Sequence, residues 1–405
     1  MLYSYEAFDK SGAPVNGETD VPSEKELIIF LEQKGLTPSK IRVKGKQKGI
    51  MAALNTDAFA KIKDEDRIFM VRNLATAIKA GLSINEALTI LVNDSKPGLM
   101  HDILMTAKVT VQSGRPLSDG LALHKKHFPP IFIGLLRAGE ASSQLDKSLE
   151  ELGTYLAKEY NLIRKIKSAL TYPIMLLIGS FGVVVFLLVF VLPKLSKTFA
   201  LSGTELPLVT KILVNTSSFL IQNLMAAALL LVAAIAGIIY GLRTEQGRDF
   251  KNKVAVNTPV VKDLIKKVAL VRFTRTLQSL FSGSTPVLKA LEISADAVGN
   301  DIYKKAILDV AGNMKVGVPL SRSLEKHPTL FPTLLISLIG VGERTGNLEY
   351  VLRTFSNFYD EEVENKLKDI TGLFEPILLI VMGLIVGTIA VAVLLPIYQL
   401  VGKFT

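Results

Sequence analysis

The sequence predicts an all-α membrane protein with three transmembrane helices, two duplicated cytosolic helical bundles and a small N-terminal α/β segment. Three observations support this prediction: three long apolar runs without charged residues, a repeat of the sequence, and helix-capping patterns within each copy. Hydrophobic residues make up 49% of the 405 residues, and the mean hydropathy is +0.36. Because soluble proteins are usually more polar, part of the chain is expected to lie in lipid.

The first 45 residues are predicted to be a small cytosolic α/β segment. YSYEAF near the N-terminus and residues 15–21 are predicted strands, residues 23–34 a helix and residues 40–44 another strand. The chain does not start with a basic segment followed by an apolar one, so a secretory signal is not predicted. Residues 46–60 are basic, then small and polar, and are interpreted as a linker.

The rest of the chain is predicted to alternate between helical bundles and membrane spans. A span needs about 20 apolar residues to cross a hydrocarbon core of about 30 Å. The predicted order is a first bundle at 61–168, a transmembrane helix at 170–193, an external loop at 194–217, a transmembrane helix at 218–242, a second bundle at 243–373 and a third transmembrane helix at 376–400.

The positions of lysine and arginine predict the orientation of these spans. Basic residues cluster before the first span and after the second, whereas the loop between them has Lys194, Lys197 and Lys211. Basic residues concentrate on the cytoplasmic side of membrane proteins. Both bundles and the N-terminus are therefore expected in the cytosol and Thr405 outside. The net charge of +10 is attributed to this bias, and nucleic acid is not a predicted partner.

An internal repeat explains the topology. Arg275 lies 203 positions after Arg72, and with this offset GRPLSDGLALHKKHFP at 114–129 aligns with GVPLSRSLEKHPTLFP at 317–332. Each copy is a helical region followed by one span, and both of these spans are predicted to cross in the same direction. The second span, which has no counterpart in the repeat, is then required as the return helix.

Helix boundaries can be predicted within each copy. SINE at 83–86 has the spelling of a capping box, and TP at 285–286 is expected to cap the equivalent helix with proline as its first residue. GRP at 114–116 and GVP at 317–319 predict the end of one helix directly before the start of the next. Several short helices fit each copy, and a helical bundle is the simplest interpretation.

Two Gly-Glu pairs are the most suggestive polar positions, Gly139-Glu140 and Gly342-Glu343. The favoured interpretation is a glycine turn whose glutamate reaches the free N–H groups of the next helix. The alternative is contact with a partner protein.

Within the spans, two GxxxG patterns allow close approach of helix backbones, either among the three spans or between chains. Their glycines are Gly237, Gly241, Gly383 and Gly387.

The sequence contains no pattern typical of an enzyme or metal site. It has no phosphate-binding loop, no HExxH, no GxSxG and no cysteine, and the four histidines have no acidic or cysteine partner at ligand spacing. No catalytic residue, metal or cofactor is therefore predicted. A transporter or channel component is the alternative function, but it would need polar residues along a pathway, and the spans contain no ionisable side chain except tyrosines near their ends.

The residues of both copies resemble a known family. They carry G-x-P-L-S…L…H…F-P and G-E-x-[ST]-[SG]-x-L with a proline opening the following span, and the chain starts with Y-x-Y-x-A-x-D-x-x-G at 3–12. Over nearly its whole length the chain resembles the secretion F family, the bacterial inner-membrane platform proteins of type IV pilus and type II secretion machines.

The resemblance implies contact with a hexameric assembly ATPase in the cytosol, with pilin or pseudopilin in the membrane, and with other inner-membrane components; a homo-oligomer is also expected. The signature residues that it implies are Gly114, Pro116, Phe128, Pro129, Gly139, Glu140, Gly317, Pro319, Phe331, Pro332, Gly342 and Glu343. Two departures concern turn geometry. Ser143 stands where the signature has glycine, and Ser284 stands where the first copy has Gly81.

Overall fold

The computed structural model describes residues 2–9, 13–21, 24–43, 62–194, 208–223 and 259–401, and single positions between 229 and 244. The predicted linker at 46–60, most of the second span at 218–242 and much of the external loop at 194–217 lie outside the described residues. The chain divides into two compact units, and each is described by itself. Unit 1 comprises residues 1–162 and 267–360, and unit 2 comprises residues 163–266 and 361–405.

The N-terminal α/β segment of unit 1 is confirmed, with its third strand starting at Thr37 rather than at residue 40. Every second side chain of the first strand, Tyr3, Tyr5 and Ala7, is buried, because successive side chains of a strand point to opposite faces of the sheet. Leu27 and Leu31 of the helix complete this small core. The elements are β1 (Leu2–Phe8), β2 (Pro14–Asp20), α1 (Glu24–Gln33) and β3 (Thr37–Val43), with β1 between β2 and β3 in an antiparallel sheet.

The first copy of the repeat forms a series of helices, as predicted. The hydroxyl of Thr106 in the third of them donates to the carbonyl of Pro38 at 3.2 Å, which ties β3 to this helical region. The helices are α2 (Asp64–Lys79), α3 (Ile84–Asp94), α4 (Leu99–Gln112), α5 (Leu117–Ala122), α6 (Pro130–Ala141) and α7 (Leu145–Phe186).

The second copy has the same order of helices. Four of its helices start 203 positions after those of the first copy, at Val287, Leu320, Thr333 and Leu348. After α8 (Leu208–Gln222), the helices are α9 (Pro259–Ser282), α10 (Val287–Ala297), α11 (Asp301–Lys315), α12 (Leu320–Glu325), α13 (Thr333–Thr345) and α14 (Leu348–Val401).

One of the two predicted N-caps is confirmed and the other is wrong. Ser83 and Glu86 form a complete capping box, each side chain accepting from the other's backbone N–H. At the second position the cap is Pro286, the first helical residue is Val287, and the hydroxyl of Thr285 is buried without a hydrogen-bond partner. The backbone N–H of Thr285 donates to the carbonyl of Leu280, so Thr285 closes the preceding helix instead of opening the next.

The two serine departures keep the turn geometry of the glycines that they replace. Among the described residues, Ser143 (φ 55°) and Ser284 (φ 59°) are the non-glycine residues with positive φ. Their counterparts in the other copy, Gly346 and Gly81, have φ values of 71° and 92°. Because a Cβ is unfavourable in the left-handed region, both serines hold a backbone conformation that glycine adopts more easily.

The two copies share one hydrophobic core in unit 1. An added Cβ at Gly134 of α6 would lie 2.7 Å from Cδ1 of Ile293 in α10. Similarly, an added Cβ at Gly283, directly after α9, would lie 2.7 Å from Cδ2 of Leu135. The absence of side chains at these two glycines therefore lets α6 approach α9 and α10 closely.

Two helices of the described chain are long and apolar enough to cross a membrane, and both begin in unit 1 and continue into unit 2. One extends over Leu145–Lys194 and includes a π-helical segment at Leu187–Val191. The other covers Leu348–Ala392. Their most apolar stretches have mean hydropathies of 3.0 and 2.3. The first helix contains the predicted span at 170–193, and the second covers the predicted span at 376–400 as far as Ala392. Within unit 2, the hydroxyl of Thr210 in α8 donates to the carbonyl of Ala392 at 2.7 Å.

Candidate functional site

The G-x-P part of the signature forms a tight turn between two helices. Gly114 has a φ of 79°, and the N–H of the next residue, Arg115, donates to the carbonyl of Thr110 at 3.1 Å, which closes α4. Pro116 is extended and immediately precedes α5. This is the predicted helix end followed at once by a helix start, because glycine supplies the left-handed residue and proline cannot continue a helix.

The second copy repeats this turn. Gly317 has a φ of 86°, the N–H of Val318 donates to the carbonyl of Asn313 at 3.2 Å, and Pro319 precedes α12. In both copies the residue before the short helix is proline, which has no side-chain acceptor for the free N–H groups of the first turn. Each short helix therefore requires an acceptor from elsewhere in the fold.

The glutamate of the Gly-Glu pair supplies this acceptor. Oε1 of Glu140 accepts from the backbone N–H of Ser118 at 3.1 Å. Glu343 accepts from the backbone N–H groups of Leu320 and Ser321, the latter at 3.0 Å, and from the Ser321 hydroxyl. A carboxylate at the positive end of a helix is favourable. The glutamates therefore cap helices, but the expected helix was wrong: they cap the short helix about 22 residues earlier in the chain rather than the next one.

The glycine of each pair provides space for the start of the next helix. An added Cβ at Gly139 would lie 2.5 Å from both Cβ and Oγ of Ser148 in α7. At Gly342 it would lie 3.1 Å from the Cα of Leu348 at the start of α14. Gly-Glu thus joins three helices, because the glycine contacts the following helix and the adjacent glutamate caps the short one.

The Phe-Pro part of the signature anchors the loop after each short helix. Phe128 is almost fully buried, with its ring 4.7 Å from that of Phe132, and Pro129 directly precedes α6. In the second copy Phe331 is fully buried, with its ring 5.4 Å from that of Phe273, and Pro332 directly precedes α13. These residues act in packing and in helix initiation.

In the first copy the turn and the Gly-Glu pair line an open cleft of about 440 Å³. Its wall includes Gly114, Pro116, Gly139 and Glu140, together with the charged side chain of Arg115 and the residue Asp146. The second carboxylate oxygen of Glu140 is buried and has no hydrogen-bond partner. The cleft therefore combines apolar walls with charges of both signs.

A buried charge cluster in unit 1 was missed from the sequence. Arg275 is 1% exposed and pairs with Asp360, and its Nη1 lies 3.5 Å from Oε2 of Glu159. The Nη2 of Arg272 lies 2.7 Å from Oε1 of the same glutamate. The cluster links α7, α9 and α14, although Nε and Nη1 of Arg275 and Oε2 of Glu159 are buried without a hydrogen-bond partner. Because buried charges are costly unless paired, removing one member of the cluster would leave its partners' charges uncompensated.

Tyr155 of α7 is buried beside this charge cluster. Burial, with the negative charge of Glu159 as a smaller cause, raises the pKa of Tyr155 to about 12. Its hydroxyl lies 3.3 Å from that of Thr276. The available sequence signal was two arginines, Arg272 and Arg275, within the mostly apolar segment VALVRFTRTL at 268–277.

The GxxxG glycines have no neighbour in the described part of the chain. An added Cβ at Gly237, Gly241, Gly383 or Gly387 would meet nothing within 4 Å. A role of these glycines in packing thus stays a prediction. Among the described residues, no three His, Asp or Glu side chains lie close enough together to hold a metal ion.

Two of the histidines are equivalent in the repeat but differ in their surroundings. The ring of His124 lies 5.9 Å from that of Phe8 in β1, and burial lowers the pKa of His124 to about 4. His327, in the second copy, has its Nε2 3.0 Å from Asp309. His124 thus contacts the N-terminal sheet, whereas His327 pairs within its own copy.

Comparison with known proteins agrees with this duplicated architecture. The sequence model of the type II secretion system protein F family matches the chain twice, at residues 70–193 and 273–396. The family model of the N-terminal domain of that protein matches residues 1–42. The two matches are 203 residues apart, which confirms the internal repeat.

Relatives of known name align over nearly the full length. The type IV pilus assembly protein PilC of Myxococcus xanthus is 33% identical over 99% of this chain and 95% of the relative. PilC of Thermus thermophilus is 32% identical over 100% and 99%, and the type II secretion system protein F of Pseudomonas aeruginosa is 31% identical over 99% of each. The chain therefore belongs to the type II secretion system protein F family.

Proposed function

We propose that this chain is the inner-membrane platform protein of a type IV pilus or type II secretion machine. The observation that carries the proposal is full-length similarity to proteins named for both machines, together with the family model that matches twice. In this role the chain couples a cytosolic assembly ATPase to the insertion of pilin or pseudopilin into a fibre, or to its removal. It does no catalysis of its own, since the ATPase supplies the energy.

We further propose three spans, at 170–193, 218–242 and 376–400, with both helical regions and the N-terminus in the cytosol and the C-terminus outside. The two long apolar helices support the first and third spans, and the basic flanks support the orientation. Because the chain has no cysteine, single cysteines introduced at Lys79, Lys197 and Val316 can be labelled selectively in intact cells. Labelling by an impermeant maleimide at Lys197 alone is expected. Labelling of the other two in intact cells would contradict the orientation.

The cleft beside the first Gly-Glu pair is the proposed contact for a partner on the cytosolic side, with the ATPase as the first candidate. Its open wall and the charges of Arg115 and Glu140 suit a charged side chain. Arg115 has 41% of its side chain exposed and pairs with Asp119 at 3.6 Å. Since it does not cap a helix, its substitution tests recognition without removing the capping contacts of the glutamates.

The test is co-purification of the membrane-extracted protein with each assembly ATPase encoded near its gene. Wild type is expected to capture an ATPase, while Arg115→Glu, which leaves both glutamate caps in place, is expected to lose it. Glu150→Lys, a charge reversal at an exposed position in the same copy, is the matched control. Capture of neither ATPase nor pilin by wild type would contradict the platform function and favour the transporter alternative.

A further inference from the structure

Three polar residues on one face of α7 meet α9 in unit 1. Oε1 of Glu151 accepts from the hydroxyl of Ser279 at 2.7 Å, and the hydroxyl of Tyr155 lies 3.3 Å from that of Thr276. Glu159, four residues further along α7, contacts the two arginines of the buried charge cluster. Hydrogen bonds and ion pairs depend on direction and distance, whereas apolar contacts do not depend on direction. These contacts therefore fix the position of α7 along the axis of α9.

Arg275 extends this linkage to a third helix. Its side chain is 2% exposed, pairs with Asp360 of α14 and lies 3.5 Å from Glu159 of α7. A single guanidinium on α9 thus contacts carboxylates from both of the other helices.

All three helices lead to predicted membrane spans. The helices α7 and α14 continue from unit 1 into unit 2 as the two long apolar helices, and α9 is the first described helix after the second predicted span. Unit 1 ends at Leu162 on α7 and at Asp360 on α14, and it begins again at Lys267 on α9. Arg275 therefore joins the three helices near the points where they pass out of unit 1.

Stability alone does not explain this arrangement. Three polar atoms of Arg275 and Glu159 are buried without a hydrogen-bond partner, and such an ion pair is often no more stabilising than apolar side chains of the same size. The counterpart of Arg275 in the first copy is Arg72, which is exposed. The counterpart of Asp360 is Ala157, which has no charge, so the helical repeat forms without this ion pair.

We propose that Arg275 is a positioning residue, which holds α7 and α14 at fixed places on α9 so that a displacement of one repeat reaches the first and third spans together. Networks of packed side chains and ion pairs carry energetic coupling of this kind between distant sites. The inference rests on the proposed platform function, in which motion of the cytosolic repeats is passed to the membrane. It assigns that task to a buried ion pair within the chain rather than to a surface that binds a partner.

The test replaces the ion pair between α9 and α14 with neutral side chains of similar size, Arg275→Met together with Asp360→Asn, in the full-length chain. Glu159 keeps its pair with Arg272 at 2.7 Å, so the remaining charges of the cluster stay paired. The measurement is the amount of assembled pilus or of secreted protein in a deletion strain in which the wild-type gene restores it. ATPase capture, the amount of chain in the membrane and the melting temperature are measured for the same variants.

The double variant is expected to keep the ATPase capture, membrane level and melting temperature of wild type. Assembly or secretion should nevertheless fall about tenfold, the order of change that single contacts make to coupling. Arg275→Lys should lie between the double variant and wild type, because an ammonium lacks the planar array of donors that lets a guanidinium contact two carboxylates.

Two matched controls should leave assembly unchanged. Arg72→Met changes the same residue type at the equivalent position of the first copy. Lys79→Met with Glu150→Gln neutralises an exposed ion pair that joins α2 and α7 within one copy.

Two outcomes would overturn the proposal. Wild-type assembly by the double variant would mean that the ion pair does not pass on motion. Loss of assembly together with a lower melting temperature or with loss of ATPase capture would mean that the pair acts in folding alone. If the wild-type chain neither captures an ATPase nor restores assembly, the proposed function fails instead, so the two failures are distinguishable.

Discussion

Replacing Glu343 with alanine should destabilise the short helix α12 much more than the equivalent change destabilises α5. Glu343 accepts three hydrogen bonds from the first turn of α12, whereas Glu140 accepts one from the first turn of α5. Losing a charged acceptor costs about 1.5–3 kcal/mol for one bond, and the cost of several bonds to one partly accessible carboxylate is less than their sum. We therefore expect Glu343→Ala to destabilise α12 by about 3 kcal/mol and Glu140→Ala to destabilise α5 by about 1.5 kcal/mol.

Hydrogen–deuterium exchange of the detergent-solubilised protein measures these changes locally. Since about 1.4 kcal/mol corresponds to a tenfold change, exchange at residues 320–325 should accelerate about 100-fold in Glu343→Ala. Exchange at residues 117–122 should accelerate about 10-fold in Glu140→Ala. Glu343→Gln, which keeps an acceptor oxygen but not the charge, should lie between wild type and Glu343→Ala. Unchanged exchange in Glu343→Ala, or equal effects of the two alanine variants, would refute the capping argument.

Three further predictions follow from single positions. Ser284→Gly should stabilise the protein by about 0.5–1 kcal/mol in thermal unfolding, because glycine adopts the positive φ more easily; a lower melting temperature would contradict this. Gly139→Ala should destabilise by about 1–3 kcal/mol through its clash with Ser148, whereas Gly312→Ala, with nothing within 4 Å, should not; equal effects would refute the packing argument. Because burial lowers the pKa of His124 from 6.5 to about 4, the unfolded chain takes up this proton first. Stability should be fully present above pH 6.5 and fall by up to about 3 kcal/mol as the pH falls to about 4; an unchanged pH profile in His124→Asn would contradict this.

The sequence predicted much of the fold because its strongest signals are local or repeated. The capping box at Ser83, the glycine-proline turns and the apolar runs each depend on a few neighbouring residues. The offset of 203 positions between Arg72 and Arg275 also placed the two sets of helices in register, because a duplicated sequence repeats its helix boundaries together with its residues.

The features that could not be predicted from the sequence depend on contacts between distant elements. The glutamates were expected to cap the next helix, but α6 and α13 end beside helices that begin about 22 residues earlier, and pairing of this kind is set by tertiary packing. Thr285 has the spelling of a cap, yet its backbone completes the preceding turn instead. The cluster around Arg275 joins three helices that are remote in sequence, so no local pattern could identify its partners.

The central claim is that a membrane platform couples a cytosolic ATPase to fibre assembly, and deletion of the gene with complementation tests it most directly. The measurement is the amount of assembled pilus or of protein secreted by the pseudopilus machine, with ATPase and pilin levels measured in the same cells. We predict that assembly or secretion stops although ATPase and pilin remain at wild-type levels, and that the wild-type chain restores it. Unchanged assembly and secretion in the deletion strain would contradict the account.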